Sequence, residues 1–362
     1  MFRIKLTVNQ INYLNILLMI VSAGCAMVKP FETFLFVYAF LGPLHYLTEI
    51  SWLYDKNFYT KYKFDFIPLL LAGVIITFLN MDWINLPDED QNRWFHEYGS
   101  TFITMMSFGA ALVFTIEKRA LRRFIYLMAV LLLSIIVVKN SGVQYVFGAF
   151  LPTLIHVFIF TGLFILIGAL KGRSRSGILS LVAFVVIACS FFYIKPDRTH
   201  YQVSSYAKES YGYVDTSGRF TDGFISLNET IRQVFRMHDF GKPSVPYASF
   251  IDSVNNYFYS NPAMLAMMAF IAFAYMYHYL NWFSKTSIIQ WHRISRLRGF
   301  MIVGLWLASI GIYAYDYSLG LKWLFFLSFS HVLLEFPLNH LTFINIGKEA
   351  VKIFSPGKVS KA

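Results

Sequence analysis

LKWLFFLSFSHVLLEFPLNHLTFIN, residues 321–345, is the stretch whose reading decides the fold. It is apolar almost throughout, and at about 1.5 Å rise per residue a helix of this length spans a hydrocarbon core of roughly 30 Å. Working outward from it, nine more segments read the same way: 11–28, 31–54, 66–81, 99–116, 124–138, 144–170, 177–194, 261–284 and 299–314. The runs are long and lack a two-residue alternation, which favours helices over a transmembrane barrel. The expected fold class is therefore all-α, a polytopic integral membrane helical bundle of about ten transmembrane helices.

Composition agrees. Of 362 residues, 57% are apolar, 19% aromatic and 14% charged, too little polar surface to clothe a water-soluble globule of this size. Disorder, a collagen-like repeat and a coiled coil are excluded on the same ground. The net charge of +11 sits in short loops between apolar runs, where anionic lipid headgroups rather than nucleic acid are the expected partners. Cys25 and Cys189 both fall in apolar stretches, so neither a disulfide framework nor a cysteine zinc site is expected.

Basic residues set the orientation, because they concentrate on the cytoplasmic side. With the N-terminus inside, 20 of the 31 Lys and Arg fall in inner segments, and the loop after the third span, with Asp82, Asp88, Glu89, Asp90 and Glu97, is acidic. The expected setting is a bacterial inner membrane with both termini cytoplasmic. Residues 1–194 would hold seven spans, 195–260 an extracytoplasmic polar insert, 261–345 three more spans and 346–362 a basic cytoplasmic tail. Arg3, Lys5 and the small residues Ser22-Ala23-Gly24 also fit a cleaved signal peptide, which would leave the remaining topology unchanged. Within the insert, Leu227 to Phe235 is amphipathic and reads as a short surface helix. Asn228-Glu229-Thr230 is a glycosylation sequon that matters only in a glycosylating host.

An ionisable side chain deep in a bilayer is costly unless paired or metal-bound, so each one in a span is a functional candidate. Those here are His45 and Glu49, His156, His278 with Asn281, and His331, Glu335, Asn339 and His340. At about 1.5 Å per residue the histidines and glutamates lie roughly 7 to 21 Å above the inner face. His45 and Glu49 stand four apart, as do His331 and Glu335, which puts each pair on one helix face. Imidazole with carboxylate is a ligand set for iron, zinc or manganese, and such pairs on facing helices build di-iron centres in bundles. The metal candidates are His45, Glu49, His156, His278, His331 and Glu335, with His331 and His278 the catalytic candidates. Asn339 continues the face of His331 and Glu335 as a hydrogen-bonding group, whereas His340 points away. A metal-free proton-transfer cluster and purely structural pairing are the alternatives.

Tyr38, Tyr46, Trp52, Tyr54, Tyr275, Tyr277, Tyr279, Trp282 and Trp291 flank these residues and fit a slot for a flat, unsaturated substrate. The more ordinary assignment, an interfacial belt, is favoured for Trp52, Trp282 and Trp291. Pro43 should kink its span one turn before His45-x-x-x-Glu49.

Trp291-His292, after an aromatic-rich helix in a chain with clustered intramembrane histidines, resembles the integral-membrane non-haem iron oxygenases, in particular the bacterial β-carotene dioxygenase family. That resemblance implies non-haem iron but no carotenoid substrate, because Ser295 and Arg296 stand where that family's second histidine would follow. The run from Asn281-Trp282-Phe283-Ser284 to Trp291-His292, followed 39 residues later by His331, is similar in layout to membrane-bound O-acyltransferases. This second resemblance implies that His331 is a general base acting on an acceptor hydroxyl.

The functional expectation is a metal-dependent membrane oxidoreductase acting on a hydrophobic lipid, polyene or isoprenoid. Iron is the expected metal, with zinc or manganese as substitutes, and a cytoplasmic electron donor is the expected protein partner. A metal-independent acyltransferase, or a transporter with Glu49 and Glu335 as proton-coupling carboxylates, is the alternative.

Overall fold

The computed structural model describes residues 7–80, 93–196, 201–221, 223–238, 240, 246–285 and 294–354. Among the described residues thirteen helices follow in order. The first seven are α1 (Val8–Val28), α2 (Pro30–Asp55), α3 (Phe66–Asn80), α4 (Phe95–Ile116), α5 (Ala120–Val137), α6 (Ser141–Gly172) and α7 (Arg175–Ser190). Then come α8 (Ser205–Tyr211), α9 (Ile225–Val234), α10 (Tyr247–Ser260), α11 (Pro262–Ser284), α12 (Arg296–Tyr315) and α13 (Tyr317–Phe354). No strand occurs among the described residues beyond one bridge, Val214 to Phe220.

Each of the ten apolar segments falls on a helix. Seven of these helices, α1, α4, α5, α6, α11, α12 and α13, are long and apolar enough to cross a membrane. Of the other three, α3 and α7 are apolar but shorter, and α2 has the length, 26 residues, but carries Glu32, His45, Glu49 and Asp55. The outward faces are themselves apolar. Only 6% of the α5 span is buried, and Leu121, Phe124, Leu132, Leu133 and Ile136 lie exposed along it. An exposed apolar surface of this extent marks a lipid- or protein-facing helix. The amphipathic stretch at 227–235 forms α9, and the presumed tail begins as helix, since α13 continues to Phe354.

The chain divides into two compact units. The first comprises Met1–His45 and Val182–Trp323. Its interior helix is α11, 83% of whose span is buried. Small residues Ala266, Ala269, Ala272 and Ala274 keep that helix slim enough for neighbours to close in on all sides. Helix α1 packs along it, and Asn15 fastens the two, its Oδ1 accepting from the Ser284 hydroxyl at 3.1 Å. The polar insert is tied down over the start of α2. Glu32 accepts from the Tyr201 hydroxyl at 2.8 Å and from the Ser204 amide at 3.2 Å. Phe31 and Phe34 meet the ring of Tyr211 edge-on. Near Pro43, which leaves the Ala39 carbonyl without its intrahelical donor, the Trp306 indole donates to the neighbouring Phe40 carbonyl at 2.8 Å.

The second unit comprises Tyr46–Leu181 and Leu324–Ala362. Leu69, Ala72, Ile76, Ala111, Phe114, Leu333 and Phe336 form its core. Helix α3 comes close to α13 at Gly73. A Cβ there would stand 2.8 Å from Ser330 Oγ and 3.2 Å from Ser330 Cα. After α2 the chain reverses through three left-handed residues, Asn57, Phe58 and Tyr59, none of them glycine. Each costs about 1–2 kcal/mol of backbone strain, opposed by burial of Phe58 and its stacking on Phe66 at 4.8 Å. An ion pair of 2.6 Å between Arg123 and Asp65 closes this end, with the guanidinium over the rings of Tyr62 and Phe114.

Candidate metal centre

Within the first unit, α2 presents His45 two residues beyond Pro43, and α11 presents His278. Their Nε2 atoms are 3.0 Å apart and both side chains are buried. Tyr279 tilts against the His45 ring at 4.9 Å, and Trp282 meets it edge-on at 5.6 Å. Trp282 thus forms part of the wall around this histidine.

Within the second unit, His156 and His331 form a like pair, Nε2 to Nε2 at 3.1 Å. His156 lies in the stretch Gln144–Phe160, which is wound as a π-helix and contains Pro152. Such windings concentrate at functional sites because they re-aim side chains relative to a regular helix. Glu335, one turn beyond His331 on α13, brings Oε2 to 3.2 Å from His156 Nδ1. The ring of Tyr46 lies on that of His331, centroids 4.1 Å apart and planes inclined by 25°.

Four buried histidines come together. One ligand nitrogen from each of His45, His156, His278 and His331 lies within 4.8 Å of the other three, close enough to hold a metal ion. Metal–nitrogen bonds of about 2.0–2.1 Å place cis ligands roughly 3 Å apart in square or octahedral geometry and roughly 3.4 Å apart in a tetrahedron. The paired separations of 3.0 and 3.1 Å fall in that range, while spacings in the group extend up to 4.8 Å. Neutral imidazoles suit iron, zinc, copper and nickel alike, so the donor set admits a transition metal without naming it.

The remaining candidates take other places. Neither carboxylate belongs to the four-residue group: Glu335 faces the far nitrogen of His156, and Glu49 is buried one turn beyond His45 on α2. His340 is turned away, as expected, with Nε2 2.8 Å from the Phe108 carbonyl oxygen. Asn339 is buried, and its amide atoms meet no hydrogen-bond partner among the described residues. Trp291 and His292 lie outside the described residues.

Spacing along the chain singled out His-x-x-x-Glu pairs, whereas the imidazole contacts join residues 233 and 175 positions apart. Tyr46 was visible only as one aromatic among many. Its stacking on His331 could not be read from spacing, while the Pro152 four residues before His156 was an available sign of irregular winding.

Comparison with family models, with curated proteins and with solved structures finds no match. Fold and site together define the class, an all-α membrane helical bundle with a buried four-histidine group.

Proposed function

We propose that the chain is a membrane-embedded metal-dependent oxidoreductase, with non-haem iron as its metal and a hydrophobic lipid, polyene or isoprenoid as its substrate. The observation that carries this reading is the convergence of four buried imidazoles within 4.8 Å. A single buried histidine is ordinary in a membrane helix, but four imidazoles brought together from four helices supply the donor set of a shared cation. Iron, when bound, would supply one-electron and oxygen chemistry.

The chain's own residues do the rest. His45, His156, His278 and His331 would hold the ion, and the charge of Glu335, 3.2 Å from His156 Nδ1, would favour the tautomer that leaves Nε2 as the donor. The rings of Tyr46, Tyr279 and Trp282 exclude water from the imidazoles, which protects reactive species and favours an apolar substrate drawn from the bilayer. Reducing equivalents come from a donor protein at the basic face, unless the substrate itself supplies them.

One observation favours a second reading. Separations of 3.0 and 3.1 Å are also ordinary N–H···N distances, as in a metal-free cluster with His331 as general base of an acyl transfer. Elemental analysis of carefully prepared, chelator-free protein separates the two. The metal reading expects close to one equivalent in the wild type, reduced in His45→Ala, His156→Ala, His278→Ala and His331→Ala but not in His292→Ala. Metal below about a tenth of an equivalent in the wild type overturns it, because a site with four imidazoles should retain its ion through purification. Oxygen uptake on addition of a polyene then tests the oxidoreductase assignment.

A further inference from the structure

A cavity of about 490 Å³ opens in the second unit where the C-terminal end of α6, the N-terminal end of α7 and the C-terminal end of α13 meet. Its charged lining is Arg173, Arg175, Lys352 and Glu349. Glu349 pairs with Lys352 at 2.7 Å and also interacts with Arg173, so the three cations of the lining outweigh its one carboxylate and leave it positive. The connection from α6 to α7 is only Arg173 and Ser174, and Arg173 adopts the left-handed conformation with φ of 42°. That tight reversal places both guanidinium-bearing residues at one mouth. Ser174 is spent on the turn, its hydroxyl accepting from the Gly177 amide at 3.2 Å. Immediately beside the charges the lining turns apolar, with Leu170, Ile178 and Ile353.

We propose that this cavity seats an anionic phospholipid, its phosphate between Arg173 and Arg175 and the start of its acyl chains along Leu170, Ile178 and Ile353. Arginine presents a planar fork that grips phosphate oxygens two at a time. Basic pockets between membrane helices at the headgroup level are where such lipids are recognised. The apolar wall distinguishes a lipid from free phosphate, for which it offers nothing. The position agrees as well, since α6 and α13 are both long and apolar enough to span a membrane and the cavity lies where they end. This site is independent of the histidine group and of any reaction there.

The test uses the full chain, delipidated in a neutral detergent and titrated with phosphatidylglycerol, phosphatidylcholine or inorganic phosphate. The readouts are lipid retained in native mass spectrometry and the thermal midpoint. Phosphatidylglycerol should bind about tenfold or more tightly than phosphatidylcholine, and Arg173→Gln with Arg175→Gln should reduce that preference to about threefold or less. Lys56→Gln with Lys61→Gln makes the same change in charge at exposed positions elsewhere and should leave the preference intact. Equal binding of the two lipids by the unaltered protein overturns the proposal. So does an arginine variant that keeps the preference, or a lysine variant that loses it to the same degree. Displacement of phosphatidylglycerol by millimolar inorganic phosphate would show a small-anion site and overturn the lipid assignment. Should the arginine variant fail to accumulate, the comparison among ligands on the unaltered protein decides the matter.

Discussion

Glu335 Oε2 stands 3.2 Å from Nδ1 of His156, on the side of the ring opposite the Nε2 that faces His331. The two atoms are at ion-pair distance without hydrogen-bond alignment, so the carboxylate's charge, rather than an accepted N–H, favours the proton on Nδ1 and a free lone pair on Nε2. Outer partners of this kind typically account for 10–100-fold in metal affinity. Glu335→Gln should therefore weaken metal binding within that range while His156→Ala removes a ligand outright. Competitive chelator titration of the two variants checks the order. Equal retention by Glu335→Gln and wild type would show that the carboxylate has no part in the site.

Gly73 fixes the approach of α3 to α13 one residue before a histidine of the group. Adding a Cβ there meets Ser330 Oγ at 2.8 Å and, less forgivingly, Ser330 Cα at 3.2 Å. Overpacking costs about 1–3 kcal/mol, against a gain of up to about 1 kcal/mol from replacing a helical glycine. Gly73→Ala should thus destabilise the protein and lower metal occupancy, since the shift is passed to His331. Adding Ser330→Ala should restore part of the loss. Gly168→Ala, where a Cβ meets nothing within 4 Å, should leave stability unchanged or raise it. Thermal melts in detergent with parallel metal analysis distinguish these outcomes.

The spans were legible because a bilayer imposes one rule, length and apolarity, that is written along the chain. Helix α13 could be read directly from its run of Leu, Phe and Val around His331. Helix α2 was legible as a helix but less so as a span, because the residues that make it interesting, His45 and Glu49, are those that reduce its hydropathy. The face-sharing of His45 with Glu49 and of His331 with Glu335 followed from 3.6 residues per turn. Which imidazole each histidine would meet did not follow, since that depends on how distant helices pack. The left-handed turn at Asn57–Tyr59 gave no sign either, for its residues include no glycine and its strain is opposed by tertiary burial of Phe58.

The insert is fastened to α2 through a proton. Burial, and then the hydrogen bond to Glu32, push the Tyr201 phenol well above its ordinary value. A raised folded-state value means that the contribution is complete below the unfolded value of about 10 and is lost as pH rises through the folded one. Tyr201→Phe should loosen the segment at neutral pH, read as faster proteolysis within residues 201–260. Wild type should approach that rate only in strongly alkaline solution. A variant cut no faster than wild type at pH 7 would remove the phenol–carboxylate contact from the account.

Metal removal gives the last expectation. The four histidines come from α2, α6, α11 and α13, so an ion bound by all four ties together helices that begin as far apart in the chain as Pro30 and Tyr317. An ion that binds the folded chain and not the unfolded one stabilises it by RT ln(1 + [L]/Kd), about 2.7 kcal/mol at a free concentration one hundred times Kd. Treatment with a strong chelator should lower the unfolding midpoint, and re-addition of ferrous iron should restore it in proportion to the metal regained. His45→Ala should melt near the chelated wild type and gain little from added iron, because the ligand that iron would recruit is gone. The same variant also serves as the internal control for chelator acting on the detergent or lipid. A midpoint that falls equally in wild type and His45→Ala on chelation would assign the effect elsewhere and detach metal binding from these four residues.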